Sequence, residues 1–350
     1  MQTILGVIFH SLGGIASGSF YMPFNKVKGW AWESYWIVGG AMSWLILPPF
    51  AAWLTVPEFF EIIFSASIEI IIFTFLMGLL WGVGGMSFGL GIRYLGMSLG
   101  NSVVLGFCAA FGAIVPAIYY DFYPVDDKVS LSDMLAFGGG QIVLFGVLVC
   151  LLGIAISGKA GMLKENELSE DEKRKTIAEF NLFKGLSIGV LSGILSSFFS
   201  FGIEAGKPLA DAAVEAGFNP LYQNNVTFVV ILWGGLTTNL IWTTLLSIRN
   251  KSYTDFSNKD KPIFKNYLFS ALAGSIWYLQ FFFYGMGESK LGNGASSWIL
   301  HMSTIILTAN FWGIYRKEWV GVAAKTKWTI TIGILLILFS VVLVGIGNSM

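Results

Sequence analysis

The chain has 350 residues, 55% of them hydrophobic and 12% charged, with a mean hydropathy of +0.70. A soluble domain carries about twice that charge fraction, so the composition excludes a sizeable soluble domain. Lysine and arginine together number 21, as do aspartate and glutamate, so there is none of the basic excess that would favour nucleic acid as a partner.

Ten apolar stretches are each long enough to cross a hydrocarbon core of about 30 Å, with membrane lipid as their solvent. The first, about residues 4–24, follows Met1-Gln2-Thr3 without a basic n-region and reads as a retained helix rather than a cleaved signal. Its His10, Gly13, Gly14, Ser17 and Tyr21 share a helix face. Spans two and three cover about 35–54 and 68–92. The fourth, about 98–118, carries Asn101, Ser102 and Cys108, and the fifth, about 135–157, carries Cys150. Both cysteines read as small apolar fillers. The sixth, about 182–204, has Ser192, Ser196, Ser200 and Glu204 at every fourth position. The seventh, about 222–247, offers Thr238, Asn239 and Thr243. The eighth, about 266–287, sets Trp277, Gln280, Phe281 and Tyr284 on one face, continued by Glu288. The ninth, about 295–315, carries the stripe Ser297, His301, Thr304, Thr308, and the tenth covers about 328–347. The only charged residues inside these limits are Glu69, Lys184 and Glu204, all near span ends. Trp30, Trp32, Trp36 and Trp319 read as interfacial anchors.

Of the 21 basic residues, all but Lys128, Lys207 and Lys290 lie in the odd-numbered connections, counting Lys184 at the start of span six with the fifth. The positive-inside rule places those connections in the cytoplasm and both termini outside. The most polar segment, Lys159 to Glu179, is then a cytoplasmic connector, and its Lys164–Lys175 run reads as a solvated linker or short surface helix.

The two halves resemble each other. Leu95-Gly96 follows Trp81 at the spacing by which Leu291-Gly292 follows Trp277, and in that register Phe88 matches Tyr284. Gly146–Gly158 parallels Gly333–Gly345, and Gly14–Ser17 parallels Gly193–Ser196. Two directly joined five-span halves have opposite topology. The expected fold is therefore an all-α membrane protein of ten transmembrane helices in two inverted five-helix repeats, residues 1–158 and 182–350, joined by a connector at 159–181. Such transporters bind substrate near the midplane at the repeat interface.

Polar side chains inside spans must face the bundle or a wet cavity. A histidine there is costly and reads by default as functional. His301 is the stronger case and His10 the weaker, since an imidazole titrates near neutrality and can load and release a proton. The serines and threonines read first as packing and back-bonding groups. The eighth span offers flat rings for the apolar face of a sugar and polar groups for its hydroxyls. No His-Glu-x-x-His, phosphate loop or Gly-x-Ser-x-Gly motif occurs, so neither an enzyme, a cofactor nor a metal is expected.

Several motifs carry a family likeness. Phe20-Tyr21-Met22-Pro23-Phe24-Asn25-Lys26, Arg93-Tyr94-Leu95-Gly96-Met97-Ser98, Gly206-Lys207-Pro208, Trp277-Tyr278-Leu279-Gln280 and Ser297-Trp298-Ile299-Leu300-His301-Met302-Ser303 resemble the L-rhamnose–proton symporter family of the drug/metabolite transporter superfamily. The likeness runs from span one to span ten. It departs from the family pattern at a short Gly287–Ser296 segment and at Glu204, which stands where the pattern is neutral; both bear on which sugar is carried. The resemblance implies ten helices, the bacterial inner membrane, and uptake of L-rhamnose or a related sugar with a proton. On that footing the proton-coupling candidates are His301, then Glu204 and His10. The sugar-contact candidates are Gln280, Tyr284, Trp277, Asn239, Asn101, Ser297 and Tyr21. A same-fold transporter or exporter of another metabolite, and a membrane sugar sensor, stay open as alternatives.

Overall fold

A computed structural model describes residues 2–124, 129–167, 181–291, 294–348 and 350. The described chain is helical and shows no strand: α1 (Gln2–Ser19), α2 (Tyr21–Phe24), α3 (Trp32–Gly40), α4 (Leu47–Thr55), α5 (Phe59–Ser65), α6 (Ile68–Leu95), α7 (Met97–Phe122), α8 (Leu131–Ala136), α9 (Gly138–Glu167), α10 (Leu182–Ala205), α11 (Lys207–Glu215), α12 (Asn224–Asn250), α13 (Ile263–Leu291), α14 (Gly294–Tyr315) and α15 (Ala324–Asn348). A π-helical turn, Ala41–Ile46, joins α3 to α4.

Among the described residues, eight helical stretches are long and apolar enough to cross a membrane. They coincide with spans one to seven and ten. The stretches expected as spans eight and nine are helical throughout, as α13 and α14, but are less apolar because they carry the Gln280–Tyr284 and Ser297–His301 stripes. Outward-facing positions on the spans are large and apolar, among them Phe73, Leu148, Leu152, Ile241 and Leu335. A water-soluble monomer rarely exposes so much apolar surface.

The chain forms two compact units, 1–83 with 198–292, and 84–197 with 293–350. Each draws on both halves of the sequence. In the first unit α1 lies against α13 with little between them: a Cβ on Gly287 would sit 2.5 Å from His10 Nε2, and one on Gly6 2.7 Å from Leu291. Helix α12 meets α6 backbone to backbone, since a Cβ on Gly78 would lie 2.0 Å from the Ile231 carbonyl. An apolar cluster of Val56, Phe59, Ile62, Leu209, Ala213 and Val226 joins α5, α11 and α12.

In the second unit α9 and α15 face each other through small residues. A Cβ on Gly139 would approach Gly347 O at 2.6 Å, and one on Gly153 would approach Gly333 O at 2.9 Å. In lipid the apolar effect does not drive helices together, so such close backbone approach supplies the association. Of the two glycine runs matched in the sequence repeat, Gly146, Gly153 and Gly333 lie at this contact, whereas a Cβ on Gly158 would meet Leu186 and one on Gly345 would meet nothing within 4 Å. Most of the expected connector lies outside the described residues, as does Gly292. Its first residues continue α9, and there the expectation of a solvated run needs correction. Lys164 is 2% exposed, its ammonium 4.6 Å from the Trp319 ring centroid. Trp319 is itself buried, as are Trp30 and Trp36, rather than lying at a lipid interface. These rings fill gaps between helices, a placement that composition does not distinguish from an interfacial belt.

One end of the first unit is closed by a polar network. Asp255 accepts from the Ala31 N–H at 2.7 Å and the Ser34 hydroxyl at 2.8 Å, and pairs with Lys261. Glu33 accepts from Ser252 Oγ at 2.7 Å and Asn250 Nδ2 at 2.9 Å. Asn266 exchanges two hydrogen bonds with the Lys28 backbone. Burial pushes the Asp255 carboxyl pKa up, but the bonds from Lys261, Ala31 and Ser34 and the Lys261 charge outweigh it and hold the pKa below its ordinary value. A depressed pKa in the folded state stabilises above the unfolded value, about 3.9, and that stabilisation is lost as pH falls through the folded value. Asp255→Asn should therefore melt below the wild type at pH 6, with the gap closing as pH drops below about 4. Equal gaps at pH 6 and pH 3 in detergent melting curves would show that the network does not hold an ionised carboxylate.

Candidate functional site

In the first unit the described structure gathers most of the expected sugar contacts around an aromatic cluster. Trp277 projects from α13 into rings from the first two spans. It stacks on Phe20 at 4.5 Å between centroids, and Trp36 and Trp44 lie 5.1 and 4.8 Å away. Tyr21 stands 6.2 Å from Trp36. One and two turns along α13, Gln280 and Tyr284 are both buried. The Tyr284 ring meets His10 edge-on at 5.2 Å, which brings a proton-coupling candidate against a sugar-contact candidate. Trp81, Phe199 and Phe281 extend the aromatic wall.

Asn239, on α12, spends its amide on the scaffold. Its Oδ1 accepts from Trp36 Nε1 at 2.9 Å, and its Nδ2 donates to the Gly235 and Gly82 carbonyls at 2.8 and 3.2 Å. The amide thereby fixes the Trp36 indole and ties α3 to α6 and α12. Glu204, near the end of α10, is exposed.

The other candidates belong to the second unit. Ser297 and His301 lie on α14 and Asn101 on α7, each under 5% exposed. There Asn310 Nδ2 donates to Ser102 Oγ at 2.9 Å, and the Trp298 indole donates to the Cys108 carbonyl at 3.4 Å. Gly112 leaves room for that indole: a Cβ would sit 2.6 Å from Trp298 Nε1. Cys108 and Cys150 are buried free thiols.

Phe20, Trp36 and Trp44 were not among the residues expected to line a site. Phe20 and Trp36 sit in runs rich in aromatics, where sequence spacing does not separate inward from lipid-facing rings. Trp44 does have a sequence signal, the Pro48-Pro49 pair that follows it in mid-span.

Rings with apolar faces, a buried amide and a buried imidazole suit a polyhydroxylated ring better than a charged metabolite. Residues 1–350 match the family described as L-rhamnose-proton symport protein (RhaT). The chain belongs to that family. Proteins named L-rhamnose-proton symporter from Yersinia pestis (strain Pestoides F) and Yersinia pseudotuberculosis (serotype O:1b, strain IP 31758) are each 39% identical to it, covering 99% of this chain and 98% of theirs. The L-rhamnose-proton symport family is a family of transporters, not enzymes. A multi-pass membrane protein is what its helices are built for.

Proposed function

We propose that this chain takes up L-rhamnose, or a closely related sugar, together with a proton by alternating access. The family match over the whole chain carries this reading. The aromatic and amide cluster around Trp277 supports it, because flat rings and buried amides are the groups a sugar site requires.

The architecture we propose is ten crossings in two inverted repeats, residues 1–158 and 182–350, joined by the 159–181 connector. It lies in the bacterial inner membrane with both termini outside. Loop contacts within each unit support this parity. The first and seventh connections, both odd, meet through Asp255, and Asn266 at the adjoining start of span eight bonds to the first connection as well. The fifth and ninth, also odd, meet where Glu167 accepts from the Ala323 N–H and Thr326 Oγ1. The even side is joined by Asn225 to Thr55 and by Asn224 to Glu288, at the end of α13 opposite Asn266. Helix α13 thus spans from odd to even contacts, as a crossing helix must.

We assign the proton to His301 first, with Glu204 and His10 behind it. The sugar contacts are Trp277, Gln280, Tyr284 and Tyr21, with Asn101 and Ser297, while Asn239 positions Trp36. Proton binding has to favour the state that also binds sugar, since coupling requires differential affinity. The test is uptake into reconstituted vesicles offered L-rhamnose, L-fucose, L-lyxose and L-mannose. L-rhamnose is expected to enter and to alkalinise the outer medium. Silence toward all four would defeat the assignment, and outward flux in energised vesicles would favour an exporter.

A further inference from the structure

The second span is not a continuous α-helix. Between α3 and α4 the turn Ala41–Ile46 is π-helical, and the Leu47 N–H reaches back five residues to the Met42 carbonyl. The cause is covalent. Pro48 and Pro49 have no N–H, so the Trp44 carbonyl loses both its i+4 and its i+5 donor, and the Leu45 carbonyl loses its i+4 donor. Such turns are rare, and single π turns inside helices occur frequently at functional sites. At membrane depth, backbone freed from its helical bonds is tolerated only where it is buried in protein or lines a cavity.

The side chains of this turn are as unusual as its backbone. Ser43 and Trp44 are 0% exposed, yet neither Ser43 Oγ nor Trp44 Nε1 has a hydrogen-bond partner. Tyr21 Oη, in the same cluster, is a third such atom. A buried polar group left unsatisfied is costly, and water is scarce at this depth. The position of the indole is prepared in advance: a Cβ on Gly40 would sit 2.5 Å from the Trp44 ring, so only glycine leaves room for it. The ring itself lies 4.8 Å from Trp277. Two hydroxyls, an indole N–H and a carbonyl stripped of its helical donors thus sit among stacked aromatic rings. That is the complement of a monosaccharide, whose hydroxyls both donate and accept and whose C–H faces and methyl lie against rings.

We propose that the π turn presents Ser43 and Trp44 to the hydroxyls of the transported sugar, and that these two residues determine sugar specificity. This rests on the reading of the chain as an L-rhamnose transporter. It adds a sugar-binding element from the second span to the α13 contacts.

The test is calorimetric titration of the purified full chain in detergent with L-rhamnose, alongside sugar-free thermal unfolding, for wild type, Ser43→Ala and Trp44→Phe. Each variant is expected to bind L-rhamnose about ten-fold more weakly, about 1.4 kcal/mol. Ser43→Ala is expected to melt no lower than wild type without sugar, because it removes an unsatisfied buried hydroxyl. Titration with the monodeoxy analogues of L-rhamnose separates contact from packing. For the analogue lacking the contacted hydroxyl, Ser43→Ala and wild type should bind alike. If Ser43→Ala binds L-rhamnose as tightly as wild type, or is weakened equally for every analogue, the proposal is overturned while the transport reading stands. Trp44→Phe removes ring volume and is read only through binding by protein that remains folded. A wild type that does not bind L-rhamnose overturns both.

Discussion

Replacing His301 with alanine is expected to abolish sugar accumulation while leaving sugar exchange intact. One proton moving inward through about 100 mV yields about 2.3 kcal/mol, which supports roughly fifty-fold accumulation. Without a residue that binds the proton, the internal-to-external ratio should fall from about fifty to about one. Counterflow of labelled sugar needs only alternating access and should survive. His301 is buried on α14 in a stretch without any charged side chain, so no neighbour along that helix can take over its proton. Leu105, nine residues past Gly96 as His301 is nine past Gly292, is also buried and does not titrate, which makes Leu105→Ala the matched control. Vesicles of His301→Ala that still alkalinise the outer medium when sugar is added would transfer the assignment to Glu204 or His10. Glu204→Gln measured in parallel addresses the first of these. Its exposed position makes it the less protected carrier.

The second large effect concerns packing. A Cβ on Gly274 would lie 2.0 Å from the Gly39 carbonyl oxygen and 2.8 Å from Gly39 Cα, so α13 and α3 touch through their backbones. Neither backbone can yield as a flexible side-chain tip would. Gly274→Ala should cost about 3 kcal/mol, the upper end of ordinary overpacking, and should melt well below wild type in detergent. Its reach extends to function, because α3 and α13 carry Trp36 and Trp277, whose rings lie 5.1 Å apart. Moving the helices apart should weaken L-rhamnose binding as well. Gly345→Ala on α15 is the contrasting variant, with nothing within 4 Å of the added Cβ. It should be neutral or gain up to about 1 kcal/mol from helix propensity. Equal melting of the two variants would show that the α3–α13 contact is not tight.

Where the sequence was legible, the signal was local. Span positions follow from runs of apolar residues, and the structure turns each run into a helix. Lysine and arginine set an expected sidedness for the loops, and the first and seventh connections, like the fifth and ninth, meet within their own units. The α13 face carrying Trp277, Gln280 and Tyr284 is legible because three- and four-residue spacing alone places those residues together. Other features depend on neighbours distant in the chain. Trp36 looked like an interfacial anchor until its indole was found bonded to Asn239, 203 residues away. Asn239 looked like a substrate contact until its amide proved to be occupied by Trp36 and two backbone carbonyls. Lys164 belonged to a run whose charge suggested a solvated linker, but a tryptophan from the ninth connection covers it.

The sequence by itself determined the helical class, the family and the residues that can titrate inside the membrane, because all three depend on covalent chemistry and short-range spacing. Tertiary structure decided which polar groups are spent holding helices together and which, like Ser43 Oγ and Trp44 Nε1, are buried without a hydrogen-bond partner. Hydrogen-bond satisfaction depends on three-dimensional neighbours, and in a bundle of long helices those neighbours come from opposite ends of the chain.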